Sequence, residues 1–180
     1  RHRRNTYYSP IYDKSTNLGN IMWIFEGKEF TSEMVGDSYS FVYLIINNVN
    51  GKKYIGKKVF KSKRKLPPLK GKTRKRIVIK DSDWQTYWSS SKIVAAEIAK
   101  YGRENFTREI ISIHPDKREA NYHELVLQIM LNVLEARDEN GERIYYNENI
   151  ERIYYPSKAY GPDRTSLVEV YKEKISKNLL

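Results

Sequence analysis

Six consecutive apolar residues, Phe41-Val42-Tyr43-Leu44-Ile45-Ile46, form the longest apolar run in the chain. Rich in β-branched and aromatic side chains, the run reads as a strand covered on both faces, and it is far short of the roughly 18 residues that cross a bilayer. Asn50-Gly51, the strongest short-range hairpin signal, follows, and Lys52-Lys53-Tyr54-Ile55-Gly56-Lys57-Lys58 reads as the return strand. A two-residue loop at Asn50-Gly51 sets Tyr43 opposite Lys58, whereas a four-residue loop from Asn48 to Gly51 sets it opposite Gly56. In either register the period of two puts Tyr43, Tyr54, Gly56 and Lys58 on one face. Two phenols, an ammonium and a glycine that admits a ligand to the backbone can form a reaction surface. Tyrosine is also an ordinary strand residue, and this chain has 15.

Beyond the hairpin, Ser89-Ser90-Ser91 supplies N-cap hydroxyls to a helix from Lys92 to Tyr101, which Gly102 closes. Phe106 to Ile113 reads as a third strand and Lys117 to Arg137 as a second helix. The order predicts a small α/β domain: a three-stranded antiparallel sheet flanked by helices. Ile21 to Phe25 reads as a short strand padding the edge of that domain. Expected boundaries are an N-terminal extension over 1–37, the domain over 38–151 and a C-terminal extension over 152–180. In the tail, Leu167, Tyr171, Ile175 and Leu179 recur at four-residue spacing. They predict an amphipathic helix packed on its own domain, with a homodimer contact as the alternative.

Eight of the ten residues from Leu125 to Leu134 are apolar, so most of the second helix is expected to be buried. Glu124, Gln128 and Asn132 form one polar stripe on it. Contact with solvent accounts for Gln128 and Asn132, while Glu124 heads the stripe, where a carboxylate can reach a metal. His2, His114 and His123 lack the spacing of a zinc site. The chain has no cysteine, which excludes disulfides, thiolate metal sites and cysteine nucleophiles and fits a reducing cytoplasm.

Lys and Arg number 33 against 22 Asp and Glu, a net charge of +11. Twelve of the cations lie between Lys57 and Lys80, where there is no acid; the rest of the chain carries 21 bases and 22 acids. The chain is therefore a neutral body with one cationic segment. Pro67-Pro68 and Gly71 argue for a loop there, with Ile77-Val78-Ile79 as a strand within it. A solvated loop would account for a balanced run, but twelve like charges point to a polyanion, because displaced counterions favour phosphate contacts. Lys57, Lys61, Lys63, Lys65, Lys70, Lys72, Arg74, Lys75 and Arg76 are the candidate DNA-binding cations.

Val42-Tyr43, ten intervening residues and Tyr54-Ile55-Gly56 resemble the signature of the GIY-YIG nucleases, with Phe41 at that signature's first Gly and Val42 at its Ile. Lys100-Tyr101-Gly102, Asn105-Phe106, a helix carrying Glu124 and the pair Tyr146-Asn147 follow in matching order, over Ser38 to Ile150. The basic segment and Trp84-x-x-Tyr87-x-Ser-Ser-Ser are similar to phage-encoded members. The resemblance implies a DNA endonuclease working in the cytoplasm, that of a bacterial host if phage-encoded. It implies Tyr43 as general base or its helper, Tyr54 positioning the water or the phosphate, Glu124 binding a single Mg²⁺ or Mn²⁺, and Asn147 bracing the site. For the family's Arg, Arg64 has the spacing and Lys58 is the competing phosphate clamp; Tyr87 matches a further His or Tyr. The rival expectation is a nucleic-acid-binding module of the same fold whose catalysis has lapsed.

Overall fold

A computed structural model describes residues 22–156 and 167–177. Four strands come first: β1 (Trp23–Phe25), β2 (Lys28–Glu29), β3 (Ser40–Asn47) and β4 (Lys53–Val59). They are followed by β5 (Lys61–Leu66), β6 (Arg76–Asp81), α1 (Lys92–Tyr101), β7 (Phe106–His114), α2 (Lys117–Met130) and α3 (Leu167–Ser176). The main sheet has five strands in the order β2-β1-β7-β3-β4. The expected three-stranded sheet is therefore one part of a larger one: β7-β3-β4 is antiparallel, and β1 joins it parallel to β7. The added strands hold three and two residues, too few for alternation to reveal their place in a sheet.

The β3–β4 hairpin takes the four-residue loop, with Tyr43 opposite Gly56. Gly51 sits at φ 72°, which its missing Cβ permits. The apolar run on β3 is explained by its two covers. Phe41, Tyr43 and Ile45 enter an aromatic cluster with Trp23, Phe60 and Trp84, while Val42 joins Ile55, Ala120 and Val133 beneath α2. A bulge in β7 serves this arrangement. Pairing steps from Val42–Ser112 to Tyr43–Ile110, so Ile111 is left over and exposed beside Tyr43.

Two expectations about α2 are corrected. The helix ends at Met130, not Arg137, because Asn132 adopts φ 50° and terminates it in a Schellman turn. Val133 N donates to Gln128 O (3.1 Å) and Asn132 N to Ile129 O (3.0 Å). The polar stripe also faces inward: Glu124, Gln128 and Asn132 are buried, while Ile129 and Met130 are exposed. The reason is that α2 lies against the edge strand β4, where Gln128 meets the Ile55 carbonyl and Glu124 meets the Lys57 ammonium.

The basic segment is likewise not a loop. β5 and β6 pair over six positions as a separate antiparallel ribbon, with Pro67-Pro68 and Gly71 in its connection. Leu66, Ile77, Val78 and Ile79 supply β-compatible side chains between the lysines. In α3, Tyr171 and Ile175 are exposed instead of packed on the domain, and Leu179 lies outside the described residues, as does His2. No described helix is long and apolar enough to cross a membrane.

The free edge of β4 is closed by the segment Ile144–Asn147. Lys53 N donates to Ile144 O (2.9 Å), and Tyr146 N donates to Lys53 O (2.7 Å). The Asn147 side chain then continues the ladder in place of backbone. Its Oδ1 accepts from Ile55 N (3.0 Å) and its Nδ2 donates to Ile55 O (2.9 Å). Asn147→Ala leaves both buried groups of Ile55 short of their partner, with only a long Gln128 contact (3.4 Å) to the carbonyl. The expected loss is about 2–4 kcal/mol in urea unfolding; an unchanged midpoint would show that the ladder does not depend on this amide.

Candidate active site

Past Ile55 the cover on β4 stops, and a cleft of about 590 Å³ opens. Tyr54 and Lys57 enter it from β4, Glu124 and Gln128 from α2, and Ser90, Ser91 and Lys92 from the start of α1. Asn147 and the turn through Arg152 complete the wall. Ser91 caps α1, accepting from Val94 N (3.3 Å), so the electropositive end of a ten-residue helix faces the cleft.

Glu124 is 8% exposed, and burial pushes its carboxyl up, partly offset by Lys57. Lys57 contacts the Glu124 carboxylate directly and reaches Glu151 at 3.2 Å. Burial works against the Lys57 ammonium, but the two carboxylates outweigh it and hold the group charged above the usual lysine range. Lys57, read from sequence as a DNA-binding cation, is thus the one beside the buried acid. Glu151, Arg152 and the α1 serines were not singled out as site residues. They reach the cleft only through turns, Glu151 and Arg152 both at positive φ, which spacing does not reveal.

The two phenols differ in depth. Tyr54 lines the cleft, whereas Tyr43 is 1% exposed and lies behind it among the rings of Trp23, Phe41, Tyr54 and Tyr87. Burial, then the neighbouring Tyr54 and Tyr87 hydroxyls, push the Tyr43 phenol well above its ordinary value. Burial raises Tyr54 as well, but hydrogen bonds from Ser89 and Ser90 favour its ionised form. Gly56 permits this close approach: a Cβ there would stand 2.5 Å from the Tyr43 hydroxyl and 2.9 Å from the Tyr54 ring.

The segment carrying Tyr87 and the serines is held from below. Arg108 is buried between the rings of Trp23 (4.7 Å) and Trp88 (4.3 Å). Its Nη1 donates to the carbonyls of Tyr87 (2.7 Å) and Gln85 (3.1 Å). Burial lowers the guanidinium to about 10, which leaves it charged at neutral pH.

Of the candidate cations, Lys58 is engaged elsewhere, 2.5 Å from Asp83 and 3.7 Å above the Tyr87 ring. Arg64 lies exposed on β5 opposite Val78 and does not line the cleft. Lys61, Lys63, Lys65 and Arg76 lie on the ribbon strands, and Lys70, Lys72, Arg74 and Lys75 in their connection. Among the described residues no cluster of three or more His, Asp or Glu could hold a metal. Glu124, the buried carboxylate of a roomy cleft that Glu148 and Glu151 also line, nevertheless suits a hard, hydrated cation that takes its other ligands from water and substrate phosphate once Lys57 gives way.

No curated protein and no solved structure matches the chain. Residues 23–150 match the family model described as "Putative endonuclease segE, GIY-YIG domain". That span contains β1 to α2, the Asn147 ladder and the cleft residues up to Asn149. The chain belongs to the GIY-YIG family of nucleases.

Proposed function

We propose that the protein is a metal-dependent DNA endonuclease that hydrolyses phosphodiester bonds by in-line attack of water. The observation that carries this reading is the convergence of Tyr54, Glu124 and the amino-terminal end of α1 in one cleft. A phosphate seated at Ser90, Ser91 and Lys92 meets helix N–H groups and an ammonium. Tyr54, backed by Tyr43, holds the attacking water and takes its proton, and the water oxygen bonds to phosphorus as the bond to the leaving oxygen breaks. Glu124 would hold a single Mg²⁺ or Mn²⁺, whose positive charge favours the leaving oxygen. Lys57 suits the phosphate clamp better than Arg64 or Lys58, because it already stands in the cleft. Asn147 braces Ile55, two residues from Lys57, and so fixes the strand edge on which the clamp rides.

One observation favours the lapsed binding module: the Lys57 ammonium already neutralises the only buried carboxylate of the cleft. Plasmid incubated with and without Mg²⁺ separates the two readings. A nuclease nicks or linearises the plasmid only with the metal, and Glu124→Gln loses that activity by several orders of magnitude while still binding DNA. Metal-independent retention of intact plasmid by the wild type would establish the binder.

Tyr43→Phe and Tyr54→Phe each delete one hydroxyl. Each is expected to melt normally and to lose at least ~10²-fold in single-turnover rate; normal cleavage by both would reduce the phenols to packing groups.

Both phenols titrate above their ordinary value, so their ionised fraction grows throughout neutral and mildly alkaline pH. The single-turnover rate should accordingly climb from pH 7 to pH 9 without a plateau. Removing the Ser89 and Ser90 hydroxyls by alanine substitution withdraws bonds to the ionised Tyr54, and should lower the rate at every pH in that range. A flat profile would exclude either phenol as the base.

A further inference from the structure

We infer that the β5–β6 ribbon enters the major groove of duplex DNA and contacts base edges with the face that carries Lys63, Lys65, Ile77 and Ile79. The inference rests on the nuclease reading and adds to it a groove and a class of base contact.

The ribbon is a separate two-stranded sheet, and the major groove, about 12 Å wide, admits such a ribbon. The pairing Lys63–Ile79 and Lys65–Ile77 puts these four residues on one face. Ile77 is 61% exposed and Ile79 57% exposed. An isolated hairpin in water has no reason to hold two large apolar side chains outward between lysines, but a thymine C5-methyl is an apolar partner for them.

Charge selects the same occupant. From Lys61 to Asp81 there are ten cations and one acid. Elsewhere on the domain the ion pairs that lysines do form are Lys52 with Glu142, Lys57 with Glu124 and Glu151, and Lys58 with Asp83. None of the ion pairs among the described residues involves a ribbon cation. What the ribbon side chains do contact at its base is neutral, Lys61 with Gly36 O (3.3 Å) and Lys63 over the Tyr39 ring (5.1 Å). Flanking phosphates supply the missing negative charge. The deep, narrow major groove of A-form RNA would not admit the ribbon, so duplex DNA is favoured.

Distance also fits. Lys57 in the cleft and Lys61 at the start of β5 are four residues apart, at most about 13 Å of strand. A cleft and a groove reader so joined sit within one turn of a duplex, roughly 34 Å.

The test compares two duplexes of identical sequence, one with thymine and one with uracil throughout, which differ by the C5-methyl groups alone. Binding by wild type and by Ile77→Ser/Ile79→Ser is measured by anisotropy over a salt series, with plasmid nicking as a parallel readout. Wild type should prefer the thymine duplex by about fourfold for each methyl contacted. The double variant should bind both duplexes alike, with the wild-type salt slope, since no phosphate contact is removed. Equal wild-type affinity for the two duplexes, or a preference that survives in the variant, overturns groove entry; intact nicking would then leave the nuclease reading standing. Tighter binding of single strands or of duplex RNA also overturns the inference. Loss of both binding and nicking in the wild type removes the inference together with the nuclease reading.

Discussion

The carboxamide of Asn147 carries an unusual share of this architecture. An edge strand exposes N–H and C=O groups that must be paired, covered or solvated. Here the covering segment supplies backbone bonds at Lys53 and hands over to a side chain at Ile55. Because an amide side chain sets an N–H donor beside a C=O acceptor, it can mimic one rung of ladder and then stop. The strand edge beyond it is left open, and that opening is the cleft. Arg143 fastens the arrangement by donating to Asn147 O (2.5 Å) and Val133 O (3.3 Å), which ties the cover to the turn after α2.

The two faces of the sheet contribute different chemistry. The α2 face brings a carboxylate and an amide, Glu124 and Gln128, to β4. The aromatic face brings phenols, and it can set Tyr43 beside Tyr54 only because Gly56 offers no side chain between them. The cleft lies at the edge, where both faces meet, so neither cover alone lines it. That division explains why α2 turns its polar stripe inward and leaves Ile129 and Met130 to solvent.

Much of this was legible in the sequence where one residue type had one structural use. β3 follows from its continuous apolar run, the hairpin from Asn-Gly and the tyrosine face from period two, while the sequence left the loop open between two and four residues. Ser91 as the cap of α1 follows from position. Glu124 could be singled out because it heads the polar stripe at the start of the mostly apolar stretch Leu125 to Leu134. What stayed hidden depended on partners far along the chain. Nothing local shows that Gln128 reaches Ile55, 73 residues away, so its stripe read as solvent-facing. β1 is legible as a short strand within Ile21 to Phe25, but it joins the sheet through β7, more than 80 residues on, and nothing local shows that partner. The left-handed Asn132 that ends α2 competes with good helix formers on both sides, and the lysines of the ribbon masked its alternation.

The clamp beneath Tyr87 has an optical consequence. All three tryptophans of the chain lie on the aromatic face: Trp23 and Trp88 bracket the Arg108 guanidinium, and the Trp84 carbonyl accepts from the Trp23 indole N–H (2.7 Å). Tryptophan emission from this protein therefore originates on that face, next to the segment that carries Ser89 and Ser90. A nearby cation and a hydrogen-bonded indole both tune an excited-state dipole. The protein thus contains its own fluorophore for the serine segment, one that needs no label and is blind to events confined to the ribbon tip.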